Sequence, residues 1–356
     1  MTLVQHAPRF TVEAAAAIAR DCFGFEVSAA CWPSPLPSER DQNFLVCDGQ
    51  GLQAVLKIAN ALEEYALLEA QNGALRHVAQ HAGAALCPQP LGAQDGSTIA
   101  AVTGPDGRQH WVRLLSYIDG KPLALVKPHD AGLLADLGGF IGRLDGALEG
   151  YDHPALRRTF HWDLAQAANV IGQYKDEIAH PQRRVLIERL FTHFEQVTLP
   201  GLGGLRHGVI HGDANDYNVL VRDRQVSGIL DFGDMVYSIV AADVAIAAAY
   251  ALLDKPQPLE AVAAVVGGYH EAYPLREDEV AAIFDLVCMR LCMSVCHAAH
   301  QRRHAPGNEY LSISERGAWE ALGRLAQIHP RLAHYTLRAA CGMAPVPQAE
   351  NVVAWL

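Results

Sequence analysis

The sequence predicts an α+β chain in two lobes: a small lobe on an antiparallel sheet over residues 1–119, and a mostly helical lobe over 120–356. Three observations carry this. Short apolar runs of strand length, bounded by turn residues, dominate up to Tyr117. From Lys127 onward the composition becomes helical. Within that helical half lies one isolated strand pair, Val219-Leu220-Val221 and Gly228-Ile229-Leu230, joined through polar Arg222-Asp223-Arg224-Gln225.

In order, residues 11–23 read as a helix with Thr11 as N-cap. Strands are expected at Phe25–Trp32, Asn43–Cys47 and Leu52–Ile58, with Asp48-Gly49-Gln50-Gly51 turning the last two into a hairpin. Gly49-x-Gly51-x-x-Ala54 imitates a dinucleotide fingerprint, but that fingerprint opens a helix and this stretch opens a strand. A helix over Ala61–His81 follows, then strands at Ser97–Val102 and Gln109–Tyr117, making a sheet of about five. The second half reads as helices over 130–148, 162–174, 181–197, 240–253, 259–272, 277–303 and 310–327, with a short helix and tail over the last ~25 residues. Asp163 reads as the cap of the 162–174 helix, its alternative being a turn toward substrate.

Half of the 356 residues are hydrophobic, enough for a sizeable core, and the net charge of −11 disfavours a nucleic-acid or anionic-membrane partner. It suits a cationic small substrate. The eight cysteines show no zinc-type CxxC spacing, and Cys288, Cys292 and Cys296 stack on one helix face, read as core packing rather than a metal site. The start MTLVQHAPRF lacks a basic segment followed by an apolar one, and no unbroken apolar run approaches ~20 residues. The expectation is a cytoplasmic chain with reduced thiols and no membrane span. The oligomeric state is left open.

The chemistry concentrates in VIHGDANDYNVLVRDRQVSGILDFGDM, residues 209–235. Asp213 and Asn218 precede the first strand of the isolated pair and Asp231 ends the second. Two carboxylates and an amide are thus delivered to one end of a hairpin, as Mg²⁺ shared with substrate phosphates requires. The competing reading, polar residues that merely cap turns, must explain five positions agreeing in type and order. His211-x-Asp213-x₄-Asn218 with Asp231-Phe232-Gly233 resembles the kinase loop H-R-D-x₄-N and its D-F-G partner. Gly212 stands where the Arg would be, and the short span from Asp231 to Asp243 leaves no room for a long activation loop. The chain therefore resembles the small-molecule kinases of the aminoglycoside phosphotransferase and choline kinase superfamily.

That resemblance implies a bilobal protein-kinase-like fold, with Asp213 as base and Asn218 and Asp231 as Mg²⁺ ligands. Lys57 would hold the phosphates of ATP or GTP, oriented by Glu69, with Glu63 and Glu64 as competitors. The loop Leu36–Phe44, which has no glycine, would cover the phosphates through Ser38 and backbone N–H groups, with Asp41 fixing the turn. The purine would meet backbone groups of Ser116 and Ile118, with Leu56 and Leu114 on its faces. His211 reads as structural, and Asp243 as a brace for the loop.

Four segments are similar to the hydroxylysine kinases and their bacterial relatives: residues 38–44, 55–60, 228–235 and Pro306-Gly307-Asn308-Glu309-Tyr310-Leu311. This implies a hydroxylated amino acid or amino alcohol as acceptor, and GTP as a candidate donor. Asp234 is positioned to face an amine. Arg290, Ser294 and His297 fall on one helix face as candidates for the acceptor's other groups, a buried structural Arg290 being the alternative. Homoserine, choline, ethanolamine and aminoglycoside kinases are the other enzymatic readings. The last is disfavoured because Glu350 is the sole acid after Tyr335. A non-catalytic regulator would have lost Lys57, Asp213 or Asn218.

Overall fold

Alternation along one hairpin organises the first half. The computed structural model describes residues 7–38, 40–304 and 315–355, in two units: 1–119 with 228–230, and 120–227 with 231–356. In the first unit, helix α1 (Val12–Phe23) starts at Thr11, whose hydroxyl accepts the Ala14 N–H, and ends at left-handed Gly24. The sheet comprises β1 (Ser34–Leu36), β2 (Gln42–Cys47) and β3 (Gln53–Ile58), then, after helix α2 (Tyr65–Ala82), β4 (Ala100–Thr103) and β5 (Gln109–Ser116). Its order is β1-β2-β3-β5-β4, antiparallel throughout. Asp48 Oδ1 accepts the N–H groups of Gln50 and Leu52, closing the β2–β3 turn.

Ala54, Leu56, Ile58, Val112 and Leu114 bury one sheet face in a core shared with Ala15, Ile18 and Phe23 of α1. Leu56 and Leu114 are cross-strand partners in that core, so they are not the platforms for a base that the sequence suggested. The intervening residues, Lys57 and its partner Arg113, take the other face, where Arg113 is held by Asn72 and Gln71 of α2 at 3.0 and 2.8 Å.

Phe25–Trp32 is not a strand. Ser28 starts a turn, accepting Ala30 N–H on its hydroxyl and Cys31 N–H on its carbonyl, and only the Val27–Asp48 bridge forms. The first strand is instead the edge β1, which carries Pro35. The same turn brings Cys31 to Cys47, and the two form a disulfide, correcting the expectation of eight free thiols. Helix α2 begins four residues late because a turn on Asn60, with its carbonyl and side chain taking Glu63 and Leu62 N–H, diverts the chain.

The second unit opens with β6 (Lys121–Pro122) and helices α3 (Ala131–Leu148), α4 (Ala167–Tyr174) and α5 (Pro181–Val197). Strands β7 (His207–Ile210), β8 (Val219–Arg222), β9 (Gln225–Ile229) and β10 (Val236–Ile239) follow, then helices α6 (Ala241–Ala251), α7 (Pro258–Ala272), α8 (Glu277–His304), α9 (Glu315–Leu325), α10 (Pro330–Ala340) and α11 (Ala349–Trp355). Asp223 and Arg224 both have positive φ, the two-residue hairpin turn whose twist matches its strands, so β9 begins at Gln225, earlier than expected. Strands β7 and β10 pair antiparallel, an arrangement the sequence did not disclose. Helix α4 starts after a 3-10 turn at Leu164–Gln166 capped by Asp163, which also accepts the Ser238 hydroxyl at 2.6 Å.

Helices α3 and α7 approach to backbone contact. A Cβ on Gly138 would lie 1.8 Å from the Val265 carbonyl oxygen, and one on Gly268 2.0 Å from that of Ala135. Cys288, Cys292 and Cys296 are buried in α8, as core packing requires. Residues Glu277–Arg303 are long and apolar enough for a membrane span, yet 89% of the apolar window is buried inside the protein, the signature of a core helix. Residues 306–311 and the start of the expected 310–327 helix lie outside the described residues.

Candidate active site

The catalytic loop leaves β7 through a turn only glycine fits. Gly212 has φ +79°, and a Cβ there would sit 2.7 Å from the Asp234 carbonyl oxygen. This close approach explains the missing arginine in steric terms. His211 is fully buried; its Nδ1 accepts the Asp213 N–H at 3.2 Å and its ring stands edge-on to Phe232. Asp243, near the start of α6, accepts the His211 N–H on Oδ2 at 2.8 Å and the Gly212 N–H on Oδ1 at 2.7 Å. Both residues brace the loop, as the sequence suggested.

Each Asp213 oxygen has assigned donors. Oδ2 accepts the amides of Asn215 (2.7 Å) and Asn218 (2.9 Å), and Oδ1 accepts Arg290 Nη2 at 2.6 Å. The Asn218 amide also donates to the Asp213 carbonyl, so the atom Asn218 turns toward any cation is its Oδ1. Asp231 is a non-glycine residue at φ 60°, a costly conformation. Beyond it, Arg158 Nη2 donates to the carbonyls of Gly233 (2.8 Å) and Met235 (3.0 Å), pinning the turn.

Burial pushes the Asp213 carboxyl up to about 6; Arg290 opposes the rise, and the negative charges of Asp234 and Asp231 add to it. Asp213, Asp231 and Asp234 thus feel one another, and such a concentration of oxygen-borne charge fits a hard divalent cation. Among the described residues, no three His, Cys, Asp or Glu side chains form a complete metal site.

Arg290 is buried beneath Asp213. Its guanidinium stacks on Trp162 at 4.8 Å, donates to the Trp162 carbonyl at 3.3 Å and lies 3.4 Å from the Tyr250 hydroxyl. Its Nε finds no acceptor among the described residues. This matches the buried structural alternative, and the partner is the Asp213 carboxylate. His297 lies about two turns further along α8, its ring 4.3 Å from Trp162 and its Nε2 3.2 Å from the His161 carbonyl, which requires the proton on Nε2. Burial drives it down to about 4, so it is neutral at pH 7. Ser294 is half-buried on the same helix.

Beside Tyr250 opens a cavity of about 360 Å³ within the second unit, lined also by Asp216, Asp254, Glu320, Lys127 and Arg316. Sequence reasoning missed Arg158, Tyr250 and this lining. Asp216 and Tyr217 of this lining lie within the motif; the others come from distant helices and loops and carry no spacing signal.

The remaining predicted residues belong to the first unit. Lys57 is half-buried on the α2 face of β3, and Glu69 is exposed on α2. Ser38 is exposed, and Asp41 accepts the Asn60 N–H at 3.0 Å, so it does fix the turn. Ser116 donates its N–H to the Gln89 carbonyl and accepts the Gln89 N–H on Oγ, both at 2.8 Å. Its backbone N–H is therefore engaged. Ile118 is half-buried against Gly228.

A profile of the phosphotransferase enzyme family matches residues 33–280. The chain is 32% identical to the hydroxylysine kinase of Bos taurus over 344 residues, covering 89% of this chain and 90% of that one. Among solved structures, an amicoumacin kinase in complex with AMP-PNP and Ca²⁺ superposes with a TM-score of 0.67 at 15% identity, over 91% of this chain and 97% of that one. A microcompartment-associated aminopropanol kinase does so at 0.65 and 19%, over 94% and 100%. At these identities the structural likenesses establish a shared fold.

Proposed function

The chain belongs to the phosphotransferase enzyme family, and we propose that it moves the γ-phosphoryl group of ATP or GTP to a hydroxyl of an amine-bearing amino acid or amino alcohol, 5-hydroxylysine being the first to try. The observation that carries this reading is the Asp213 carboxylate, held from both sides by Arg290 and by Asn218, in a loop braced at His211 and Gly212.

In this reading Asp213 orients the acceptor hydroxyl and takes its proton, and its elevated affinity for a proton is matched to that task. Asn218 and Asp231 hold Mg²⁺, which when bound neutralises phosphate charge. Lys57 meets the phosphates, oriented by Glu69, with Ser38 over them and the Ser116 carbonyl and Ile118 backbone beside the purine. Arg290 acts through Asp213, keeping the carboxylate fixed, rather than by reading the acceptor's own carboxylate. The acceptor's ammonium faces Asp234 and the Asp216–Asp254 side of the cavity at Tyr250, and Ser294 and His297 wall the helix beyond. A cytoplasmic location is part of the same proposal.

The test is a nucleotide-release screen with MgATP and MgGTP against 5-hydroxylysine, homoserine, ethanolamine and choline. Stimulation by 5-hydroxylysine above the others supports the reading. Preference for homoserine moves the acceptor, and tight nucleotide binding without stimulation by any acceptor favours a regulator.

A further inference from the structure

We propose that Asp145 is a neutral carboxylic acid that donates its proton to Asp243 and thereby positions the catalytic loop from behind. The proposal rests on the reading of Asp213 as the base. Its geometry starts from the glycine contact between α3 and α7, which sets Asp145 on one helix against Tyr269 on the other. Tyr269, completely buried, donates its hydroxyl to Asp145 Oδ2 at 2.6 Å. Asp145 is 4% exposed, and its Oδ1 meets no donor among the described residues. The group beside it is Asp243, itself fully buried and within hydrogen-bonding reach.

Two buried carboxylates within hydrogen-bonding reach do not both ionise, so one proton is shared between them. The backbone decides where it sits. Asp243 receives an N–H on each oxygen, from His211 and Gly212, so both of its oxygens already serve as acceptors. Asp145 has one hydroxyl donor, on Oδ2, and its Oδ1 meets none among the described residues. Burial and then Asp243 drive its carboxyl well above the usual carboxylate range. Arg206 is the nearby cation, but its guanidinium is taken by Glu279 through bonds of 2.6 and 2.7 Å. The cavity that Asp145 lines is also lined by Glu149, Tyr273 and His207, by Arg157, which Asp152 holds at 3.0 Å, and by Arg276.

With the acid proton on Asp145, Asp243 has three donors: two from the loop and one from α3. The third locks the Asp243 rotamer on which the His211 and Gly212 N–H groups hang, and Asp213 follows directly in the chain. Asp145 is thus a positioning residue.

The experiment pairs infrared difference spectroscopy with two variants. At pH 7.5 the wild type should show the C=O stretch of a protonated carboxyl that Asp145→Asn lacks. Asp145→Leu, which fills the space without a donor, should lose roughly 10²-fold in kcat with 5-hydroxylysine as probe, with both KM values moving less than about threefold. Asp145→Asn, which keeps a donor to Asp243 and an acceptor for Tyr269, should recover most of that loss. Absence of the band, or an Asn variant as slow as the Leu variant, overturns the proposal. No turnover of 5-hydroxylysine by the wild type overturns the acceptor reading alone, and the band still decides Asp145.

Discussion

Two loops invite comparison, the catalytic loop 211–218 of the second unit and the loop 36–44 of the first. In the catalytic loop almost every polar group is spoken for. Asp243 takes two backbone N–H groups, His211 takes a third, and Asp213 is held at both oxygens. In loop 36–44 the ends are anchored by strand pairing and by Gln42, which bonds Phe10 at 2.7 and 2.8 Å; between them the Asn60 N–H meets Asp41 and its amide the Arg40 carbonyl, while Ser38 is exposed. The difference teaches where geometry is built in. A group that accepts a proton must be preorganised to a fraction of an ångström, whereas backbone N–H groups can fold over a phosphate once it arrives.

If that contrast is right, substitutions should cost most in the braced loop. Asp213→Asn should lower kcat by roughly 10²–10⁴-fold while leaving nucleotide affinity, measured by calorimetry, little changed. Full activity would remove Asp213 from the role of base. Lys57→Met should cost roughly 10²-fold in kcat/KM for the nucleotide, because a preorganised charge on the phosphates is lost. Arg290→Met should lower kcat by about tenfold with a smaller change in acceptor KM, the pattern of a group working through Asp213. A pure KM effect would return Arg290 to reading the acceptor's carboxylate. Ser38→Ala should shift nucleotide KM by no more than about threefold, and a larger loss would mean that the exposed loop is built as tightly as the catalytic one.

A stability measurement sharpens the same contrast without any substrate. His297 is held neutral, its folded-state affinity for protons drawn down from 6.5 to about 4. The unfolded chain therefore binds the extra proton first as pH falls. Stability is fully present above pH 6.5 and lost progressively down to about 4, by about 3 kcal/mol in all. His297→Phe should flatten that part of the urea-denaturation profile, and an unchanged slope would show that another group carries it.

How much could be read beforehand follows from distance along the chain. The loop, its brace Asp243 and the hairpin were legible because their partners lie within about 35 residues and the spacing constrains the backbone. Arg290 was found as part of a helix face, with a buried structural role as its alternative, but its bond to Asp213 was not foreseen, since nothing local says that α8 passes beneath residue 213. Arg158, Tyr250 and Asp145 were invisible for the same reason. Phe25–Trp32 failed differently: its composition suits a strand, and a hydroxyl at Ser28 turns the chain instead. Leu56 and Leu114 were assigned to the wrong sheet face, which period-two alternation leaves open until the position of α1 is known.

The order of residue types from His211 to Gly233 was sufficient to specify phosphoryl-transfer chemistry, because that chemistry needs few groups and needs them close together. Which side chains surround those groups depended on packing: two helices meeting through glycine, a buried arginine under a carboxylate, and two acids sharing one proton. Burial raises the stakes of every charge, and burial is a property of the folded chain that no stretch of letters carries.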